Sequence, residues 1–328
     1  MAKIKVGVLS GGISLEREVS RLSAENVLQH LDAEKYDIFD IIVNKKAQFF
    51  CDNKEIKYLD LGKKIDIVLS VLHGTWGEDG QIQTILDKNN IPYIGSNALG
   101  SKQSFSKITT KKILTQNGIN TPDYLILNNH QKHKVTLKTV TTKFPQGCVI
   151  KIDNSGSSLG IFICHNEPQI LNALAEIERN FSAKETFFAE QYISGKEYTC
   201  GVIGNDAKAE ALPIIELVMS KSANFFNFDA KYTGESTKIC PAKIKPHLTQ
   251  NIQKTALNTH KALKLTDFSR TDFIHNNHNE LFVLEINSIP CMAKTSLFYQ
   301  ALSVKGIVFS DFLNHLIAKK VSRKMGEL

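Results

Sequence analysis

The chain has 328 residues, with 40 Lys and Arg against 33 Asp and Glu, a formal net charge of +7. That length holds two or three modules with a sizeable core, and the composition is that of a globular chain rather than a disordered or fibrous one. The lysines are scattered and no basic run interleaves with aromatics, which argues against a nucleic-acid partner; no apolar run reaches membrane-spanning length, and MAKIKVGVLSGG is too short an apolar run for a signal peptide.

Six cysteines, at 51, 148, 164, 200, 240 and 291, form no C-x-x-C pair, and several sit inside apolar runs. Used this way they are small hydrophobes of a reducing compartment, and a cytoplasmic location is expected.

In chain order, Ile4–Leu9 reads as a strand, Ser10-Gly11-Gly12 as a turn, and a helix is expected from about Leu15 to Leu31 with Ser14 as its N-cap. This is the opening of an open α/β domain, whose ligands sit beyond the carboxyl ends of the strands. Glu16, at that edge, is either a ligand for an ammonium group or plain compensation of the helix dipole. Asp37–Val43 and Asp66–Leu72 read as further strands. The second runs into His73-Gly74-Thr75-Trp76-Gly77-Glu78-Asp79-Gly80, where glycines explain a tight turn but not His73. A helix at Gln81–Lys88 leads to Ile91-Pro92-Tyr93-Ile94-Gly95-Ser96, near which the first domain closes. The pattern then predicts one helix over Ser101–Asn117, carrying Lys107 and ending at Gly118.

The middle of the chain reads strand, loop, strand, helix, strand. Lys151 is embedded in the apolar strand Val149–Ile152, a costly position unless it meets an anion. Asn154-Ser155-Gly156-Ser157-Ser158-Leu159-Gly160 follows, a small-residue loop whose backbone N–H groups can approach a phosphate, although it is neither a Walker A nor a G-x-G-x-x-G sequence. After a helix at Glu167–Asn180, Glu190 and Glu197 bracket a strand turn. The polar stretch Met219–Lys238, containing Phe225, Phe226, Phe228 and Tyr232, has the length of a binding loop. A helix over His247–Lys264 precedes Arg270-Thr271-Asp272-Phe273, the polar turn His275–Asn279, and Leu281–Leu284. Glu285 and Asn287 end that last strand two residues apart, so both face one side. Hairpin pairing would set Asp272 beside Glu285, giving oxygen ligands of the kind a hard cation such as magnesium takes together with substrate phosphates.

Seven motifs in order carry a resemblance over nearly the whole chain: GGISLEREVS at 11–20, HGTWGEDG at 73–80, IPYIGS at 91–96, K…NSGSSLG at 151–160, DAKY at 229–232, RTDF at 270–273 and EINSIPCM at 285–292. Together they resemble the D-alanine–D-alanine ligases of the ATP-grasp superfamily. The resemblance implies an α/β chain with an N-terminal open α/β (pre-ATP-grasp) domain and three parts, residues 1–100, 101–195 and 196–328. It implies that ATP phosphorylates the carboxylate of one D-alanine to an acyl phosphate, which the amine of a second attacks, to supply peptidoglycan synthesis. It places two Mg²⁺ (or Mn²⁺) on Asp272, Glu285 and Asn287, and the ATP phosphates on Lys107, Lys151, Ser158 and Lys231. Adenine and ribose would fall to Glu190 and Glu197. The first D-alanine's ammonium would meet Glu16 near His73. Glu16, Ser157 and Tyr232 would form a hydrogen-bonded group, Arg270 would steady the oxyanion, and Ser296 and Leu297 would take the second substrate. Tyr232 rather than Phe resembles enzymes that make the dipeptide, and a homodimer is what the family implies. Several positions depart from the pattern: Cys291 for a glycine and Ala293 for a threonine after the metal ligands, Tyr299 for a proline, Thr84 for a glycine, Ser106 for the aspartate before Lys107, and Ile152 for the proline after Lys151. These departures leave two rival readings, a carboxylate–amine ligase with another second substrate and a degenerate nucleotide-binding relative.

Overall fold

The computed structural model describes residues 3–127, 133–156, 160–182, 184–219 and 236–326. Three sheets organise the chain. The first contains β1 (Ile4–Gly11), β2 (Tyr36–Val43), β3 (Phe49–Cys51), β4 (Lys54–Ile56), β5 (Ile67–Ser70) and β6 (Tyr93–Ile94), in the order β4-β3-β2-β1-β5-β6. Its three pairings β1–β2, β1–β5 and β5–β6 are parallel, and the β2–β3–β4 meander is antiparallel. β1 is buried from Val6 to Gly11 and β5 along its whole length, the pattern of central parallel strands covered on both faces.

The second sheet is antiparallel, β7 (Tyr124–Leu127), β10 (Phe187–Gln191), β8 (Cys148–Ile152) and β9 (Ile161–Cys164) in that order. The third has β14 (Ser236–Ile239), β13 (Ile215–Met219), β11 (Gly195–Ile203), β15 (Phe268–Asn276) and β16 (Leu281–Asn287), with β12 (Glu210–Ala211) beside β11. The fold is the α/β, multi-sheet ATP-grasp architecture.

The cores are distributed unevenly. The C-terminal helix Phe309–Gly326 inserts Phe312, Leu313, Leu316 and Ile317 between Val6, Val8 and Leu69 of the first sheet and Leu212 and Phe268 of the third. The middle sheet's core is closed by the helices His133–Lys143 and Glu167–Asn180, through Val140, Phe144, Ile170 and Leu174.

Two expected elements differ. The first helix is Arg17–His30, with Glu16 at the N-cap position and no side-chain cap. Ser14 is used elsewhere: its hydroxyl donates to the His73 carbonyl (2.6 Å) and accepts from the Glu16 N–H (3.2 Å). The single helix expected over 101–117 is two, Ala98–Phe105 and Lys107–Gln116. It breaks at Ser106, which leaves helical geometry (ψ 110°) to cap the second helix by accepting from the Thr109 N–H, while its hydroxyl donates to Asp153. Asp153 thus stands in for the aspartate that the family pattern places at position 106. Among the described residues no single helix is long and apolar enough to cross a membrane, and the bent apolar pair at the C-terminus is packed into the shared core.

Candidate active site

The hairpin pairing expected from the sequence is present. β15 and β16 are antiparallel with Asp272 opposite Glu285 and Arg270 opposite Asn287, so all four side chains lie on one face. One residue further on the register slips by one, so that Phe273 pairs with Val283 and Leu284 is the bulged residue. Bulges re-aim side chains next to active sites. Arg270 holds Asp272 in a fork, Nε and Nη2 each donating at 3.0 Å. Thr199, which faces Asp272 across β11–β15, donates its hydroxyl to the same carboxylate at 2.5 Å. Burial works against the Arg270 guanidinium, but Asp272 outweighs it and the net shift is upward.

This face forms one wall of a cavity of about 380 Å³, the size of a small-molecule site. Glu16, His73, Lys107, Ser296 and Leu297 line it as well, so nine of the residues singled out in the sequence, drawn from all three parts of the chain, meet at one place. Lys107 starts its helix beneath the floor: its ammonium contacts the Ser155 carbonyl in the small-residue loop and lies 4.0 Å from Glu285. Burial lowers its pKa despite that carboxylate. Ser296 N-caps the helix Leu297–Val304, accepting from the Tyr299 N–H at 3.2 Å, so the open end of a helix dipole faces the cavity. Glu16 lies against both glycine loops. A Cβ on Gly74 would come within 2.5 Å of its carboxylate and one on Gly156 within 2.2 Å, so at both positions only glycine lets the backbone approach.

Lys151 and Glu190 sit behind the cavity. They lie on adjacent antiparallel strands, β8 and β10, and their side chains form a buried ion pair joined by Lys111, whose ammonium is 2.7 Å from Glu190. The anion that the embedded Lys151 needs is, in this structure, a protein carboxylate. Burial opposes charge on all three groups. The two ammonium groups nonetheless hold Glu190 below the ordinary carboxylate range, and Glu190 raises Lys151, while for Lys111 burial prevails and the shift is downward. Glu197 is half-buried on β11, close enough to Lys151 to contribute to its upward shift. Ser157, Ser158, Lys231 and Tyr232 lie outside the described residues.

Four contributors escaped the sequence reading. Glu78 accepts from the Gly74 N–H (2.7 Å) and the Ile289 N–H (3.2 Å), stapling the HGTWGEDG loop to the segment after β16, and burial pushes its carboxyl up to about 7. Its only signal was an acid inside a glycine-rich loop. Lys111 is one helical turn after Lys107, the i, i+4 spacing that puts both on one face. Thr199 and Lys238 gave no signal before β11 and β14 were placed. Of the departures from the family pattern, Tyr299 is accounted for by packing, edge-on to Phe309 (5.1 Å between centroids) and to His30 (6.3 Å). Cys291 is absent from the residues with positive φ, so a side chain there carries no backbone strain.

The oxygen set fits a hard cation. Asp272, Glu285 and Asn287 offer two carboxylates and a carboxamide on one face, and the buried Asn287 amide nitrogen has no protein partner holding it. Among the described residues no group of three His, Cys, Asp or Glu side chains is arranged to hold a metal ion without such a carboxamide.

Two family models together match most of the chain, that of the D-ala D-ala ligase N-terminus over residues 5–61 and 52–96 and that of the D-ala D-ala ligase C-terminus over residues 113–318. The chain belongs to the D-alanine–D-alanine ligase family. It is 38% identical over 316 residues to the D-alanine–D-alanine ligase of Syntrophobacter fumaroxidans, covering 96% of this chain and 97% of that one. Among solved structures it is similar to the D-alanine–D-alanine ligase from Bacillus anthracis complexed with ATP, with a TM-score of 0.78, 27% identity and coverage of 99% and 100%. It is also similar to the VanG D-Ala:D-Ser ligase from Enterococcus faecalis, with a TM-score of 0.82, 27% identity and coverage of 97% and 99%. Residues of the GGISLEREVS, HGTWGEDG, RTDF and EINSIPCM segments, with Ser155 and Gly156 of the small-residue loop, line a single cavity.

Proposed function

We propose that this chain joins two D-alanines to D-alanyl-D-alanine at the expense of ATP, through an acyl phosphate, for peptidoglycan synthesis. The observation that carries this reading is the Asp272–Glu285 register pair, with Arg270 and Asn287 beside it, opening into the cavity that Lys107, Glu16 and the Ser296 helix terminus also line. The reaction needs no protein nucleophile, only positioning and charge neutralisation. Asp272, Glu285 and Asn287 would hold two magnesium or manganese ions, which when bound neutralise phosphate charge. Lys107 and Lys151 supply cationic donors to the phosphates, with Lys111 keeping Glu190 neutralised when Lys151 turns to the nucleotide. Glu190 and Glu197 take adenine and ribose, and Ser158 and Lys231 add phosphate contacts. Glu16, beside His73, receives the first D-alanine's ammonium, a role in which the family pattern joins it with Ser157 and Tyr232. Ser296 and the Leu297 N–H receive the second substrate's carboxylate at the helix N-terminus, where an anion is stabilised. Arg270, already forked to one anion, is placed to neutralise charge on the tetrahedral oxyanion.

We take the three parts as 1–100, 101–195 and 196–328; sheets spanning residues 4–94, 124–191 and 195–287 support that division. A cytoplasmic homodimer fits the family and the six unpaired cysteines, and sedimentation would check the subunit number. The test of the activity is ADP and phosphate release with ATP, Mg²⁺ and a panel of D-alanine, D-serine, D-lactate and L-alanine, with products identified by mass. D-alanyl-D-alanine as the main product is expected, and no ADP with D-alanine would overturn the reading. A mixed product with D-serine as second residue would favour the rival ligase reading, for which Cys291 in the cavity wall is the one structural argument.

A further inference from the structure

Cys291 stands where the family pattern has glycine, and it is a group the proposed reaction does not use. It is partly exposed and lines the cavity, so a small solute can reach it. Its sulfur lies in the field of the His73 imidazole, and the Ser23 hydroxyl bridges the two, 3.0 Å from His73 Nε2 and 3.5 Å from the sulfur. Ser23 is itself fixed by accepting from the Met292 N–H at 3.1 Å, and Asn26 donates to the Met292 carbonyl at 2.7 Å. The pair is therefore held by the first helix on one side and by the segment after β16 on the other. Charged groups face it from each neighbouring element: Glu16 ahead of the first helix, Glu78 in the loop of His73, Lys238 on β14 and Arg270 on β15. A thiol beside an imidazole, reachable from the cavity, has the features of a reactive cysteine rather than of a buried structural one.

We infer that Cys291, paired with His73, is a covalent modification site for small soft electrophiles, and that an adduct there obstructs the cavity beside His73 and Glu16. The chemistry with an alkyl halide is balanced as it stands: the sulfur forms a bond to carbon, the carbon–iodine bond breaks, iodide leaves with its electron pair, and the thiol proton stays on the His73 imidazole. Burial opposes the thiolate, but His73 outweighs it and lowers the pKa. Burial likewise pulls His73 down, and Cys291, Glu78 and Glu16 together raise it to about 9. Each unit by which a thiol pKa falls raises its thiolate fraction roughly tenfold at neutral pH. Loss of ligation on labelling rests on the proposed function; the labelling itself does not.

The experiment is limited iodoacetamide treatment of the full chain at neutral pH, followed by intact mass and peptide mapping. The first carbamidomethyl group is expected on Cys291, about tenfold or more faster than on Cys51, a partly exposed thiol that burial pushes upward. His73→Asn should slow Cys291 to near the Cys51 rate. On the unmodified protein, the labelling rate of Cys291 should reach half its plateau at a lower pH than that of Cys51, a readout that needs no variant. Equal rates at the two cysteines, or equal midpoints, would overturn the inference. Fast labelling of Cys291 that ATP with D-alanine does not slow would uphold the reactive pair while counting against the ligase placement of the cavity, so the two failures are distinguishable.

Discussion

The middle sheet and the two sheets flanking it in sequence solve the packing problem differently. Every residue of the middle core lies between Leu127 and Ala189. The first and third sheets share a core that runs from Val6 to Ile317, closed by the C-terminal helices. The cavity lies where these two bodies meet, with the metal-type oxygens on the shared side and the small-residue loop on the other. A self-contained core lets the middle body open or shift without exposing the rest. A shared core fixes the oxygens of β15 and β16 relative to Glu16, His73 and Glu78. The buried Lys151–Glu190–Lys111 triad ties the two together, because Lys111 stands on the helix Lys107–Gln116, whose Leu114 packs against the third sheet, while the Arg270–Asp272 fork belongs to the shared side.

The sharpest way to break this contrast is to remove one charge from each body. Glu285→Gln should reduce ADP formation by roughly 10³-fold or more with an unchanged urea midpoint; Asp272→Asn should do the same and also lower the midpoint, because it leaves the buried Arg270 guanidinium without its carboxylate, and retained turnover in either would undo the assignment of the oxygens. Glu190→Gln leaves two buried ammonium groups without their carboxylate and should cost about 3–5 kcal/mol, read as a lowered urea midpoint. The sign with pH follows from the shift of Glu190. Its folded pKa lies below the ordinary value of 4.5, so its contribution is complete above that value and is lost as pH falls through the depressed one. Wild-type stability should therefore drop on acidification below pH 4.5 more steeply than that of Glu190→Gln.

Smaller changes sharpen the same comparison. Leu174→Ala in the middle core and Leu313→Ala in the shared core should each cost about 2–5 kcal/mol. Hydrogen exchange should accelerate only within residues 124–191 for the first, and in both outer sheets for the second; uniform acceleration in both would show a single cooperative core. Asn166→Ala removes the side chain that accepts from the Gln169 N–H at 3.0 Å and caps the helix Glu167–Asn180. It should cost about 1 kcal/mol, again confined to the middle body.

Much of this was legible along the chain. The helices Gln81–Lys88 and Glu167–Asn180 begin and end where pattern and caps put them, and the Asp272–Glu285 pairing follows from a short polar turn between two apolar strands. Local signals fix such features because the hydrogen bonds involved are close in sequence. The break at Ser106 and the use of Ser14 were not legible. Each serine has a second partner far away, Asp153 and the His73 carbonyl, and a distant bond outweighed the local preference. Glu78 was missed for the same reason, since one of its two acceptor bonds crosses from residue 78 to residue 289.

By itself the sequence determined the inventory: which strands carry oxygens, which loop can approach a phosphate, and which family pattern the motifs follow. Periodicity, small residues and short-range turns are properties of neighbours on the chain. Only the tertiary structure decided that Lys151 rests on Glu190 and Lys111, that Arg270 and Thr199 grip Asp272, and that the glycine-replacing Cys291 meets His73. Those pairings depend on sheet register and on which cores are shared. Register and core sharing are set by the burial of apolar surface across the whole molecule, not by any window of it.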